Sequence, residues 1–547
     1  MTDTFNLVDE PWIVALDKFG NTREYSISEI LAGADTVVSV GGELPTQQFA
    51  ITRLLLAIVR RAIAWGNDPV QRWKQLWDAG VLPADEIGAY LDAVRPAFDL
   101  LDSEKPFYQV PGFQTGRGGA KPVGVLISDL PPNIKYFTTR AGSGAYDLSF
   151  AEAARWIVHT QCYDASGIKT GDPRDPRTKG GKGYPIGIAW AGQLGGVLME
   201  VETLTRTLLL NTVLIYNDES TVLVADLPAW ERTPLTVTVR DDSTISGPLD
   251  LLTWQSRRIA IEVENGRVTG ATIGNGDPIE SFNQMKNEFL TPWRYSDIQS
   301  QQSGELRYYP RAFDPDRALW RGLESLFASG GRTDSGLTKD GIRRGLAPGV
   351  IEWISYLESE RLLDPNTVIR AHVFGLRYDS NASVIGAATD DQVRFGATLL
   401  TSNDLLVRVI EAVSTAESVG RAVGTLARDL ARAAGGDGHG DMVAEMMRFL
   451  GGAERPFRNR LPVLSVENAD DWTAKWQQNL AVMGTRSARD LIARAGRPAQ
   501  IGRDVGDGDG SQWIDAATAE RWFYLALRRV LPFAFETEES EKVDVTN

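Results

Sequence analysis

Residues 46–65, Thr-Gln-Gln-Phe-Ala-Ile-Thr-Arg-Leu-Leu-Leu-Ala-Ile-Val-Arg-Arg-Ala-Ile-Ala-Trp, follow Pro45 with apolar positions three and four apart and no breaker. That spacing predicts a strongly buried helix. Two further helices are expected over 68–102, broken at Gly80 and Pro83, and another over Phe150–Gln161. Elsewhere the period shortens to two, the mark of strands. It does so in Phe5–Leu16, with a turn at Pro11, in Leu235–Arg240 and in Arg258–Val263, with a helix near 200–213. Helical spacing returns at 316–329 and 349–362. Val368–Arg377 reads as a strand running into a turn, Tyr378–Ser383. The segment Glu104–Phe113 is punctuated by prolines and carries no helical period.

The pattern changes near residue 388. Helical spacing dominates 404–434, 440–450, 469–495 and 513–531, separated by Gly435–Gly440, Glu454–Pro462 and Gly496–Gly510. Four helices joined by glycine-rich loops predict an antiparallel bundle. The expected fold class is therefore α+β: a large mixed α/β domain over 1–388, then an all-α four-helix bundle over 389–535. The acidic tail 536–547 is expected to be disordered.

Composition narrows the function. With 43% apolar residues, 15 Trp, 19 Phe and 14 Tyr, the chain can bury a substantial core. The net charge of −15 argues against holding nucleic acid by bulk attraction, which needs a positive footprint. Contact with DNA would require a local basic patch or basic partners. Cys162 is the single cysteine, and His159, His372 and His439 are far apart, so neither a disulfide framework nor a local metal motif is expected. His159 reads as a core or surface side chain, and His439 as part of a solvated loop. The start carries Asp3 and Asp9 and no apolar leader, and no run of eighteen apolar residues occurs. A soluble cytoplasmic protein without a membrane partner is the expectation.

No phosphate-binding Gly-Lys-Ser/Thr loop, Gly-x-Ser-x-Gly elbow or His-Glu-x-x-His helix is present. Asp277, Glu280, Asp314 and Asp316 are conceivable acid/base pairs, but among 72 acidic residues they carry little signal. The chain reads as a non-enzyme that needs no cofactor.

One stretch stands apart. From Lys169 to Lys182 the chain places Lys169, Arg174, Arg177, Lys179 and Lys182 against only Asp172 and Asp175, among glycines and prolines. Glycine lets a backbone approach a ligand closely, and cations suit phosphate oxygens. The plain alternative is a solvated loop. Two other short features are Lys286, between Met285 and Asn287 in a segment flanked by aromatics, and the turn Asn381-Ala-Ser383. An exposed lysine and a self-satisfied turn are their plain readings. The bundle arginines Arg421, Arg428, Arg432, Arg486, Arg489, Arg494, Arg497, Arg528 and Arg529 are compatible with a basic face or with an ordinary solvated one.

Taken together, Phe5-Asn-Leu-Val-Asp-Glu-Pro-Trp-Ile13, the helix after Leu44-Pro-Thr46 and Pro106-Phe-Tyr-Gln-Val-Pro111 resemble the large, CasA-type subunit of the type I-E CRISPR surveillance complex Cascade. The basic glycine loop and the helical C-terminus extend the likeness over essentially the whole chain. The resemblance implies a non-enzymatic subunit that works with other Cascade subunits and crRNA. It would recognise the protospacer-adjacent motif of double-stranded target DNA from the minor groove, begin strand separation and help recruit a helicase–nuclease. It also implies three reading elements. The glycine loop falls on Gly167-Ile-Lys-Thr-Gly171, with Lys169 and Thr170 where relatives are richer in glycine. The lysine finger falls on Lys286, and the wedge on Asn381-Ala382, with Asn in place of Gln. Phe137, Thr138, Thr139 and Arg140 resemble the segment that docks on crRNA and neighbouring subunits. Two other classes remain open: a scaffold that bridges subunits without reading DNA, and a carboxylate-based hydrolase.

Overall fold

The computed structural model describes residues 4–115, 119–130, 138, 140, 146–241, 244–327, 337–505 and 511–535. The chain divides into two compact units. One comprises Met1–Leu319, Ser325–Leu363 and Ile369–Gln392; the other comprises Trp320–Glu324, Asp364–Val368 and Val393–Asn547.

The first unit is built around the helix Pro45–Ala62, whose proline sits in the first turn. Phe49, Ile51, Leu54, Leu55, Ile58 and Val59 are buried, and so is Arg53. Apolar character all round marks a helix enclosed on every side. Two buried arginines, Arg53 and Arg60, each reach their own partners, with Arg53 Nε left unpaired. Arg53 forms an ion pair with Glu288 at 2.8 Å and donates to the Leu251 carbonyl at 3.1 Å. Arg60 donates to the carbonyls of Val213 and Thr221 at 2.6 and 2.5 Å, and its burial lowers its pKa to about 10.

Small antiparallel sheets surround this helix. Ile13–Asp17 is the centre of three strands with Thr22–Tyr25 and Val37–Val40, in register Ile13↔Tyr25. The hairpin Arg257–Glu264 with Arg267–Asn275 pairs Arg257↔Asn275, and Lys121–Pro122 adds a short edge. Val368–Tyr378 lies between Gly196–Glu200 and Ile385–Gly396, in register Phe374↔Gly196 with the former. The Phe150–Tyr163 helix starts at a reciprocal cap, Ser149 with Glu152, and packs against the central helix.

Several expected elements take another form. Phe5–Val8 is not a strand: Asn6 makes an isolated antiparallel bridge with Asp99, Leu7 and Val8 begin a turn, and the Asn6 side chain accepts from the Val8 N–H at 3.0 Å. Leu235–Arg240 alternates like a strand but pairs with none. The Arg258 guanidinium donates to the Thr236 and Thr238 carbonyls at 2.7 and 2.9 Å, taking the acceptors that a ladder would have used. Over 316–329 the described residues hold a single 3-10 turn, Leu319–Arg321, and a short α-helix, Leu323–Phe327, rather than one long helix.

In the second unit the long helices are Asn403–Ala434, His439–Arg460, Ala469–Arg494 and Ala516–Val530. Ser402 caps the first, and Gly435, at φ 104°, ends it. Trp476, Leu480, Phe457, Phe523 and Leu527 form its core, and the Trp476 indole donates to the Ala412 carbonyl at 2.9 Å. The second helix runs on through Pro456 instead of stopping at Glu454. The expected loop 496–510 holds a short helix, Arg497–Ile501, and the strand Arg503–Val505, which pairs with Gln512–Ile514, so this region is not purely helical.

His372 spans the sheet of the first unit. Its Nε2 lies 2.7 Å from Asp390 and its Nδ1 lies 3.2 Å from Glu200. Burial alone would lower its pKa, but the hydrogen bonds to Asp390 and Glu200 outweigh it and raise the pKa above 6.5. A raised folded-state pKa means that the stabilisation is full below 6.5 and fades as pH rises through the folded value. We expect the urea midpoint to fall between about pH 5.5 and pH 8.5, and His372→Gln to flatten that dependence. An unchanged slope in the variant would assign the dependence elsewhere.

Candidate nucleic-acid interface

The glycine loop leaves the Phe150–Tyr163 helix at Asp164 and returns as a hairpin. Lys169–Thr170 pairs with Lys182–Gly183, and Lys179 and Lys182 exchange backbone hydrogen bonds at 3.0 and 3.2 Å. Between them Gly180 and Gly181 take φ of 60° and 76°, the pair of left-handed conformations that a tight two-residue hairpin turn requires. Gly171 is fixed by space: a Cβ there would sit 2.5 Å from the Thr178 side chain and 2.9 Å from the Lys182 backbone. Gly171→Ala should cost about 1–3 kcal/mol in chemical denaturation. A loss below a few tenths would show that the hairpin yields easily.

Most of the loop's positive charge is consumed within it. Arg174 holds Asp172 at 2.7 Å and donates to the Gly112 carbonyl, and these arginine hydrogen bonds bring the Asp172 pKa to about 2. Arg177 holds Asp175 at 2.8 Å and donates to the Gly276 carbonyl. Lys169 lies 2.6 Å from Asp164, which also pairs with Arg257; burial lowers the Lys169 pKa against the pull of Asp164. The exposed Lys179 and Lys182, at the hairpin tip, have no side-chain partner among the described residues. Ile168 and Tyr184 are exposed at the base of the hairpin, 57% and 55%. A cationic tip with an exposed aromatic nearby matches the demands of a nucleic-acid strand. The Lys-Gly-Gly-Lys pattern is the sequence signal for this tip.

The expected wedge meets the loop directly. The Ser166 N–H donates to the Ala382 carbonyl at 2.8 Å. Asp379 builds the turn: its carboxylate accepts from the Ser383 and Val384 N–H groups at 2.6 and 3.0 Å, and its pKa is lowered by those backbone bonds. The turn is thus satisfied by Asp379, not by Asn381. Asn381 is exposed, with its side chain unengaged among the described residues, and Ala382 is held at φ 56°. Both elements line a cavity of about 280 Å³, through Asp164, Ile168, Lys169, Thr170, Ser383 and Val384.

Lys286 stands apart from this pair. It is exposed, with its ammonium 2.9 Å from Glu219, and no described contact joins it to the loop or the turn. Its segment is anchored two residues later, where Glu288 meets Arg53 and accepts from the Trp190 indole at 2.9 Å. Of the expected docking segment, Phe137 and Thr139 lie outside the described residues. Thr138 Oγ1 accepts from the Arg140 N–H at 3.1 Å. The Arg140 guanidinium is 8% exposed and bound to Glu43 at 2.6 Å and Glu152 at 3.1 Å, so it knits the fold rather than offering a free cation. Of the conceivable acid/base carboxylates, Asp277 is paired with Arg258 and Asp316 with Arg377. Among the described residues no group of three or more His, Cys, Asp or Glu is arranged to hold a metal, and no helix is long and apolar enough to cross a membrane.

Residues 6–487 match the family model for the CRISPR-associated protein Cse1. The chain belongs to the Cse1 family. The likeness read from residues 5–13 and 106–111 is thereby borne out. The crystal structure of Thermobifida fusca Cse1 is similar to the chain at 37% identity and a TM-score of 0.88, covering 97% of this chain and 99% of that one. Cse1 from Acidimicrobium ferrooxidans is 25% identical with a TM-score of 0.78, covering 97% of this chain and 98% of that one. The CasA/Cse1 protein of Thermus thermophilus is 29% identical over 291 residues, 51% of this chain. That alignment spans about half, 53%, of the curated relative's length. Mixed helix and sheet with a helical C-terminal region is the architecture that these Cse1 structures share with the chain.

Proposed function

We propose that this Cse1-family chain is the Cascade subunit that reads the protospacer-adjacent motif of duplex DNA and starts its opening. The observation that carries the reading is the 2.8 Å hydrogen bond from Ser166 to Ala382, which makes the glycine loop and the Asn381–Ala382 turn one surface. A free side chain on a braced turn beside a close-approach backbone suits insertion at a base step. Unstacking a step costs a few kcal/mol, so the wedge must be rigidly held for the strain to fall on the DNA rather than on the turn. In this reading Lys179 and Lys182 meet phosphates, which position the duplex without specifying it. Lys286 would then read the minor groove, where adenine N3 and thymine O2 are acceptors and the pattern is degenerate. Guide pairing is nearly balanced against the duplex it replaces, so small motif contacts decide whether opening begins. A helicase–nuclease would follow on the opened target.

The test is strand opening in the reconstituted complex, followed by 2-aminopurine fluorescence beside the motif. Asn381→Ala should slow opening about tenfold, the equivalent of about 1.4 kcal/mol, while initial duplex affinity stays nearly unchanged. Equal opening rates would remove the wedge assignment. A pure scaffold role predicts instead that loop and turn substitutions alter assembly alone.

A further inference from the structure

Asp164 sits where the glycine loop leaves its helix, and two cations converge on its carboxylate. Arg257 reaches it through Nε, and the Lys169 ammonium lies 2.6 Å away. Burial alone would raise the Asp164 pKa. The charges of Lys169 and Arg257 outweigh that and hold the carboxyl below its usual range, so the group is ionised at neutral pH.

The two cations depend on this carboxylate to different degrees. Arg257, 1% exposed, also donates to the Asp164 and Ala165 carbonyls at 3.1 Å each, and to those of Gly187 and Ser256 at 2.9 Å each. These bonds fasten both ends of the loop, at 164–165 and at 187, and they need no opposing charge. Lys169 has no such support. Among the described residues Asp164 is the only carboxylate within ion-pair distance of its ammonium. The two side chains are 16% and 14% exposed, so the pair is shielded and resists screening by salt. Both residues line the cavity of about 280 Å³ that Ser383 and Val384 of the wedge turn also line. The lysine therefore stands beside the turn with open space before it, and one carboxylate keeps it folded back.

We propose that Asp164 is a brake on motif-independent DNA binding: it withholds Lys169 from phosphate, so the loop approaches the duplex by its backbone and presents charge only at its tip. A phosphate contact strengthens binding to every sequence alike. Each further cation would raise affinity for the abundant non-target sequence as much as for the target, which competes with the search for the motif. The inference rests on the DNA reading given above and adds to it a residue that sets how much charge the loop offers. A pair that only supports the fold makes the opposite prediction, since its removal weakens binding.

The experiment measures target-duplex affinity of the reconstituted complex against salt, on a preferred and a disfavoured flank. Asp164→Asn keeps a side-chain oxygen for Arg257 but removes the charge that holds Lys169. It should raise affinity about threefold at low salt on both flanks and steepen the slope of log K against log salt by about 1. Adding Lys169→Met should cancel both changes. A gain that survives in the double variant would overturn the proposal, because it would come from the lost acid and not from the freed lysine. Lys169→Met alone reducing the slope by about 1 would overturn it as well, since the lysine would already be on DNA. Weaker binding with Asp164→Asn, in a complex that assembles normally, would make Asp164 a support of the loop and no brake. If Lys179→Ala with Lys182→Ala leaves the salt slope unaltered, the DNA reading fails and this proposal fails with it. If that pair lowers the slope and Asp164→Asn does not steepen it, the brake alone is lost.

Discussion

Arg53→Met destabilises the N-terminal unit by about 3–5 kcal/mol, because it leaves the Glu288 carboxylate buried without its counter-charge. Both side chains are 1% exposed, and burying a charge is tolerable only when it is paired and hydrogen-bonded. Arg53 also donates to the Leu251 carbonyl, and Glu288 accepts from Trp190 and from the Leu290 N–H at 3.1 Å. The pair therefore ties the central helix to the segment that carries Lys286. Urea denaturation of the full chain measures the loss. The double variant Arg53→Met, Glu288→Met should recover part of it, since it strands no charge. A single-variant loss below about 1 kcal/mol would place this pair among the weak surface bridges.

The second large effect concerns the hairpin tip. Lys179→Ala with Lys182→Ala should lower target-duplex affinity of the assembled complex about tenfold at low salt. It should also reduce the slope of log K against log salt by about 2, because each lysine neutralises one phosphate. The weakening should be the same for every flanking motif, because phosphate contacts carry no sequence information. Lys286→Ala should behave differently, weakening preferred flanks more than disfavoured ones. Binding against salt, for two flanks and both variants, separates phosphate from groove contacts. An unchanged salt slope in the double-lysine variant would show that the tip faces away from DNA.

What could be read from the sequence follows how local the governing interactions are. The Pro45–Ala62 helix and the long C-terminal helices are written in a 3.6-residue period, and they appear where that period runs. Leu235–Arg240 alternates correctly for a strand but is bound instead by Arg258, some twenty residues away, and no periodicity records that. Arg140 illustrates the same limit: its partner Glu43 is 97 residues distant. The loop cations are a different case. Asp172-Pro-Arg174 and Asp175-Pro-Arg177 repeat an acid–base pair two residues apart, so their mutual neutralisation was legible locally. It leaves Lys179 and Lys182 as the free charges of that loop. The role of Asp379 in bracing the turn was legible too, from an acidic residue placed four before Ser383, whereas the 2.8 Å hydrogen bond joining turn and loop crosses more than two hundred residues.

The most direct test compares target-duplex binding by the surveillance complex reconstituted with and without this chain, on targets identical except at the flanking motif. The account predicts that discrimination between flanks appears only when the chain is present and shrinks with Lys286→Ala. Equal gains in affinity for every flank would contradict it and leave the chain as a clamp or scaffold.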